Sequence, residues 1–379
     1  MKKTVLGLAL AVALAASGGT TADEDVAKLS ELLSIPSVSA DVPECDRAVE
    51  WMRSYLEANG VWCRVFTVPE AGGRKVLYAA TKPELKNPER MMVTHLDVVA
   101  APPEQFSPRL EGGRLYARGA CDTKANAFCG AKVLIALNGK VSAGCIFASN
   151  EEIGGSTTKA VLDNGYGLPK KALLVLDAAS RAGNIGYACM GCAYYKVTAQ
   201  GISGHASTPE RCENPIYILA EAALKLRDNY PKRNPDEWKN CVAVTIIGGG
   251  DSQNRVPETA SMTVNVRFTE ENGLETERAL IEKITGLKTE LIRGTPAACG
   301  DPDAPEYTRI RTLTKKHYPD RPCLPSKGRG ANDMRWFGAF KGAIASVTMN
   351  LDGGHSANEW CEVSDIGNYI ALLTEILAD

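Results

Sequence analysis

Met91-Met92-Val93-Thr94-His95-Leu96-Asp97 decides how this chain is read: a short run of strand-forming residues ends in an imidazole, and a carboxylate follows two positions on. An unbroken apolar run of this kind marks a strand buried on both faces of an α/β sheet. Polar groups at the carboxyl ends of such strands face a common crevice. The pattern recurs. Cys145-Ile146-Phe147-Ala148 leads to the adjacent acids Glu151 and Glu152, Leu173-Leu174-Val175-Leu176 to Asp177, and Ala345-Ser346-Val347-Thr348-Met349 toward His355. Asp122 joins the series in Arg118-Gly119-Ala120-Cys121-Asp122-Thr123-Lys124. A single acid after a strand is ordinarily a turn or a helix cap. Five such sites, using two of the chain's 4 histidines, read instead as a ligand set suited to a pair of zinc ions.

The chain has 379 residues, 44% hydrophobic and 23% charged, enough to bury a full core and more than one average domain needs. Two domains are therefore expected. A net charge of -2 and the lack of an aromatic-rich basic patch exclude nucleic-acid binding and favour small-molecule or peptide chemistry. Apolar spacing predicts helices over 26–34 and 43–59, the second stopped by Gly60, strands over 61–68 and 76–80, and a helix over 125–137. This alternation predicts an α/β fold with a mostly parallel sheet covered by helices on both faces. Beyond Asp177 the order changes to strands at 193–200, 242–247, 260–268 and 289–292 around helices at 215–227 and 274–284. The ligand series resumes only at His355, so this α+β block, 188–296, reads as a domain inserted into a metal-binding domain of 23–187 and 297–379.

At the N-terminus Lys2-Lys3 precedes an apolar stretch over 5–16 and small residues up to Asp23, the pattern of a secretory signal peptide over 1–22. Export to the periplasm is favoured on this ground. No segment reaches the roughly 20 apolar residues of a spanning helix, so no membrane insertion is expected. The 12 cysteines are scattered and form no compact disulfide framework, which keeps a cytoplasmic location open. Cys189-Met190-Gly191-Cys192 has the spacing of half a zinc ribbon but no second pair to complete it. His317, in Lys315-Lys316-His317-Tyr318, reads as part of a solvated helix face.

The ordered series His95-x-Asp97, Asp122, Glu151-Glu152, Asp177, His355 resembles the M20 family of zinc amidohydrolases and exopeptidases, which includes acetylornithine deacetylase, succinyl-diaminopimelate desuccinylase, aminoacylase and several dipeptidases. Gly201-Ile202-Ser203-Gly204-His205-Ala206-Ser207-Thr208-Pro209, Asn254-Arg255-Val256-Pro257 and Asn265-Val266-Arg267-Phe268 are similar to that family's lid motifs. Gly330-Ala331-Asn332-Asp333-Met334-Arg335 and His355-Ser356-Ala357-Asn358-Glu359 complete the set. The resemblance implies a zinc-exopeptidase-like sheet with an inserted lid that dimerises, and two zinc ions for which cobalt or manganese could substitute. It also implies that Asp122 bridges both ions, with His95 and Asp177 on one and Glu152 and His355 on the other. Glu151 is then the free base, and Asp97 the group that holds the His95 ring by a hydrogen bond. His205 would stabilise an oxyanion in the site of the partner subunit, so a homodimer is implied.

For the substrate, Glu213-Asn214-Pro215-Ile216 and the Asn265-x-Arg267-Phe268 run resemble the desuccinylase and deacetylase branch. Arg267 would then fork onto a substrate carboxylate, with Asn254 donating a hydrogen bond nearby. Cys189-Met190 stands where the desuccinylase pattern has two arginines before the glycine, and Ala125-Asn126 replaces the glycine usual after Lys124. Deacylation of an N-acyl amino acid is the leading expectation. An exported dipeptidase or carboxypeptidase is the alternative within the family, and a metal-free binding protein of the same fold is the alternative outside it.

Overall fold

The computed structural model describes residues 22–177, 183–234 and 237–378. The stretch read as a signal peptide lies outside the described residues, apart from Ala22 at the start of the first helix. Two compact units are present. One comprises the described residues up to Ala188 with Gly300–Gly328 and those from Asn332 onward, and the other comprises Cys189–Cys299 with Arg329–Ala331.

The first unit is an α/β layer system around a mixed sheet. Its strands lie in the order Trp62–Val68, Arg74–Ala80, Ala143–Ala148, Arg90–His95, Ala172–Val175, Ala343–Ser346 and Ile185–Cys189. Arg90–His95 and Ala143–Ala148 are buried along their whole length, which explains why they read as unbroken apolar runs. Arg90–His95 runs parallel to Ala143–Ala148 on one side, with His95 opposite Ala148, and to Ala172–Val175 on the other, with Val93 opposite Val175. Ala343–Ser346 adds a further parallel neighbour to Ala172–Val175. The expected parallel sheet is thus its centre. The flanks are antiparallel, and in the outermost pair the short link from Val68 to Arg74 allows a hairpin and not a crossover.

Helix Val42–Ala58 begins where the Asp41 side chain accepts the Glu44 N–H and Pro43 fills the first turn, and it ends ahead of Gly60, whose φ of 77° favours glycine. Lys124–Ala136 has almost no polar face. It packs between the sheet and the helices Ala22–Leu33 and Ile366–Leu377. Among the described residues no helix is long and apolar enough to cross a membrane.

Two sequence expectations in this unit need correction. The strand expected at 345–349 is two residues early, at Ala343–Ser346, and does not deliver His355. His355 sits instead in the loop of a small hairpin, between Leu351–Asp352 and Trp360–Glu362, with a positive φ of 64°. His317 is not solvated: its ring is part-buried, with Nδ1 3.0 Å from Asn368 Oδ1 and Nε2 2.9 Å from Glu375. It ties helix Pro305–His317 to the C-terminal helix.

In the second unit four antiparallel strands lie in the order Cys241–Gly249, Thr259–Phe268, Gly191–Gln200 and Thr289–Thr295. Burial alternates along Thr259–Phe268, so Ala260, Met262, Val264, Val266 and Phe268 build a core with Leu219, Leu226 and Ile281 of the two helices. The Cys189-Met190-Gly191-Cys192 segment serves packing. A Cβ on Gly191 would lie 2.3 Å from the Phe268 ring, and both cysteines are buried thiols outside any disulfide.

Phe128 is fully buried in the first core. Phe128→Ala should therefore cost about 3–5 kcal/mol of stability. Leu110→Ala, at a position 57% exposed, should cost little. Urea unfolding of both variants checks the contrast, and equal midpoints would contradict the core described.

Candidate metal centre

The parallel centre of the sheet brings four chain segments to one edge. His95 is the last residue of its strand, Glu151 and Glu152 open a short 3-10 turn just past Ala148, and Asp177 lies two residues past Val175. Asp122 sits in the loop entering helix Lys124–Ala136. His95, Asp122 and Asp177 bring one ligand atom each within 4.8 Å of one another, and so do Asp122, Glu152 and His355. Asp122 belongs to both groups.

The hydrogen bonding indicates what these groups lack. His95 Nδ1 is 2.9 Å from the carbonyl oxygen of Asp97, which can only accept, so Nδ1 carries the proton. In the neutral ring Nε2 then presents a lone pair, 3.0 Å from Asp122 Oδ1. Two such atoms repel unless a proton or a cation lies between them. His355 Nε2 faces the same situation at 3.0 Å from Glu152 Oε1 and 3.2 Å from Asp122 Oδ2. Hydrogen bonds donated to the Asp122 and Glu152 carboxylates raise the His355 pKa to about 10. Burial, then the Asp122 charge, pushes Asp177 up to about 7. The cluster takes up positive charge as protons. Its imidazole and carboxylate donors are those that divalent zinc takes in proteins, and the residues fit a pair of such ions.

Asp97 acts differently from expectation. Its carboxylate lies 3.6 Å from His95 Nδ1, so the ring is held by the Asp97 carbonyl and not by the side chain. The carboxylate instead accepts from the backbone N–H groups of Glu151 at 2.9 Å and Glu152 at 3.2 Å, and from Ser39 Oγ at 2.6 Å. Those N–H groups open a helical turn and have no partner within it, which is what a buried carboxylate best satisfies. Glu151 is also not free. Its buried carboxylate forms an ion pair with Arg335, whose Nε donates to Asn332 O at 2.6 Å. The neighbouring Asp333 accepts from Thr158 Oγ1 at 2.6 Å. Gly155 permits that approach, since a Cβ there would lie 2.2 Å from Asp333 Oδ1.

Two supporting groups had no sequence signal of their own. Glu359 is 2% exposed, and its Oε1 accepts from the N–H groups of Gly119, Cys121 and Asp122 at 2.8–2.9 Å while Oε2 pairs with Arg118. In sequence it is one acid of the His355-to-Glu359 motif; in the fold it fixes the loop that carries Asp122. Lys124, fully buried, donates to Ile35 O at 2.6 Å, and burial lowers its pKa to about 7.

Residues 91–379 match the model of peptidase family M20/M25/M40. The chain belongs to that family. It is accordingly a metal-dependent hydrolase. It is 24% identical over 370 residues to the succinyl-diaminopimelate desuccinylase of Ehrlichia chaffeensis, covering 92% of this chain and 95% of that one. It is 29% identical over 383 residues to the enzyme of the same name from a Wolbachia of Brugia malayi, covering 92% and 91%. In fold it is similar to a tripeptidase from Staphylococcus aureus, with TM-score 0.74, 15% identity and coverage of 95% and 98%. It is also similar to a dinuclear metal-binding M20 peptidase from Bacillus subtilis, with TM-score 0.63, 15% identity and coverage of 94% and 98%.

The remaining residues singled out in this M20/M25/M40 chain lie in the second unit. His205 is exposed on the short strand Gly204–His205, paired with Arg255–Val256. Its Nδ1 accepts the Ser207 N–H at 3.1 Å, so in the neutral ring Nε2 carries the proton. Asn254 accepts the Ala206 N–H at its carbonyl, 2.8 Å, and lines an open groove of about 590 Å³ with His205, Asp251, Ser252 and Arg255. Arg267 is elsewhere. It lies opposite Cys192, eight residues along the strand from Thr259. At about 3.4 Å per residue that is about 27 Å from the end nearest Asn254. Within one chain, Arg267 thus lies at the opposite end of the strand from the end that leads to Asn254.

Removing the Glu359 carboxylate would orphan three buried N–H groups, each worth about 1–3 kcal/mol. Glu359→Ala should lose at least about 3 kcal/mol of stability, and Glu359→Gln, which keeps one acceptor oxygen, distinctly less. Thermal denaturation of the two variants decides, and an alanine variant as stable as the parent would refute the role given to Glu359.

Proposed function

We propose that this M20/M25/M40 chain is a di-zinc deacylase that hydrolyses the amide joining an acyl group, succinyl foremost, to the amino nitrogen of an amino acid. The observation that carries this reading is the name shared by curated relatives matched over nearly the full length of both chains, succinyl-diaminopimelate desuccinylase. His95 and Asp177 would hold one ion, Glu152 and His355 the other, and Asp122 both. Two such ions supply positive charge that polarises a scissile carbonyl and acidifies a water.

Glu151 takes the proton from the attacking water and returns it to the leaving amine. Its ion pair with Arg335 must open first. A carboxylate on the substrate gives Arg335 a competing partner, which couples substrate binding to release of the base. Asp97 is a positioning residue for Glu151 and Glu152, as its hydrogen bonds to their backbone indicate.

The working form is a homodimer joined through the second unit. Cys241–Gly249 is an edge strand on which Ile246 is 67% exposed, and Ile216, Tyr217 and Leu224 of helix Pro215–Asn229 are exposed as well. A second copy would cover this surface. His205 would serve the site of the partner. The His205 Nε2–H is then the donor that meets the developing oxyanion. The apolar N-terminal stretch marks an exported protein.

Purified protein should hydrolyse N-succinyl-diaminopimelate and N-acetylornithine in preference to a dipeptide panel; dipeptides as the better substrates would overturn the deacylase reading. Chelation should abolish activity and zinc restore it. Because the His355 ring of the stripped site carries a proton at pH 7, reloading should release at least one proton per site. Binding heats in buffers of different ionisation enthalpy measure that release, and heats independent of buffer would count against it. Glu151→Gln should keep both metals and lose about 10²–10⁴-fold in kcat. His205→Ala should lower kcat more than it raises KM. Mixing His205→Ala with Glu151→Gln should restore activity once subunit exchange is demonstrated. Exchange with no recovery would show that each subunit works alone.

A further inference from the structure

Asn126 belongs to the Ala125-Asn126 pair that replaces the glycine usual after Lys124, and it lies at the start of a helix with its side chain entirely buried. It is not idle there. Its Nδ2 donates to Thr123 Oγ1 at 3.1 Å and to Thr348 Oγ1 at 3.0 Å. The Thr123 hydroxyl in turn donates to the carbonyl oxygen of Leu176 at 2.6 Å. Thr123 directly follows Asp122, and Leu176 directly precedes Asp177. A single hydrogen bond therefore joins the neighbours of two carboxylates from different segments, whose ligand atoms lie within 4.8 Å.

The two carboxylates are not equally supported. Asp122 has its N–H held by Glu359 and its oxygens faced by His95 and His355. Around Asp177, the Leu176 N–H is fixed to Val93 O at 2.9 Å, the Asp177 carbonyl takes Ser346 Oγ at 2.9 Å, and the Leu176 carbonyl takes Thr123. Two like charges at this separation push apart, and Thr123 opposes that movement across the gap between the loop and the strand end. Asn126 fixes Thr123 in turn. By giving the Thr123 oxygen a donor, it leaves the hydroxyl proton directed at Leu176.

We infer that Asn126 is a positioning residue which, through the Thr123–Leu176 hydrogen bond, sets the separation of Asp122 and Asp177 and so the affinity of the ion held with His95. This rests on the two-ion reading proposed above. Metal–carboxylate bonds are about 2.0–2.2 Å long, so a shift of a few tenths of an ångström in one ligand is felt. The effect is selective. Asp122 is shared, but Asp177 groups only with His95 and Asp122, whereas Glu152 has its backbone N–H held by Asp97 on a separate segment.

The test is zinc binding by the purified protein, read by competition with a chelator of known affinity and by elemental analysis. The parent should bind two equivalents. Asn126→Ala should weaken one of the two about tenfold or more, in the range found for groups that hold metal ligands, and leave the other unchanged. Thr123→Val should reproduce that loss, while Thr123→Ser, which keeps the hydroxyl, should restore two-equivalent binding. Should Asn126→Ala fail to fold, the Thr123 pair decides alone. Unchanged affinity for both ions in Asn126→Ala and Thr123→Val would overturn the proposal, as would equal weakening of both, the mark of a general structural role. A parent that binds fewer than two equivalents would instead overturn the two-ion reading, and this inference with it.

Discussion

Mutual repulsion among clustered carboxylates is the constraint to which the rest of this structure answers. Asp122, Asp177 and Glu152 crowd a few ångströms with two imidazoles. At about 4 Å and an effective dielectric of about 20, each pair of like charges repels by about 4 kcal/mol. A chain free to relax would splay them apart. Here it cannot, because the loops that bear them are tied by their own backbone. Glu359 gathers the N–H groups ahead of and at Asp122, and Asp97 gathers those of Glu151 and Glu152. The groups that hold the cluster together are themselves acids, buried and satisfied by peptide N–H groups and, for Glu359, by Arg118 as well.

The sheet sets the scale on which those loops operate. Because four central strands run parallel in a tight register, each adjoining loop begins at the same height, and side chains far apart in sequence converge without long excursions. The antiparallel flanks contribute no ligand. Their role is to bury the edges and to seat helix Val42–Ala58.

Much of this was legible in the sequence, for a physical reason. A strand buried on both faces must be apolar throughout, so the runs before His95, Glu151 and Asp177 announced both the sheet and its functional edge. The α/β class and the convergence of the metal-ligand candidates followed from that pattern. What stayed hidden depends on which atom of a residue does the work. No spacing rule separates the carbonyl of Asp97 from its carboxylate, or marks Glu359 as a buried acceptor of three N–H groups. The Glu151–Arg335 pair joins positions 184 residues apart and leaves no periodic trace. His317 read as solvated because its lysine neighbours are, yet one face of an exposed helix can still press against another helix. The distance between Asn254 and Arg267 along one chain was also hidden, because a strand separates residues faster than any other element.

The strand Ala343–Ser346 pairs with Ala172–Val175 across an interruption that contains the whole second unit. In a nascent chain this order acts as a clock. Between the emergence of Asp177 and that of His355 lie about 180 residues, or about 10–35 s of translation at 5–20 residues per second. Throughout that interval the inserted unit can complete its own core, while the sheet beside Ala172–Val175 waits with an unpaired edge. Until His355 arrives, the nascent chain holds half of the cation-binding cluster beside an unpaired strand edge, the kind of edge with which another chain can pair.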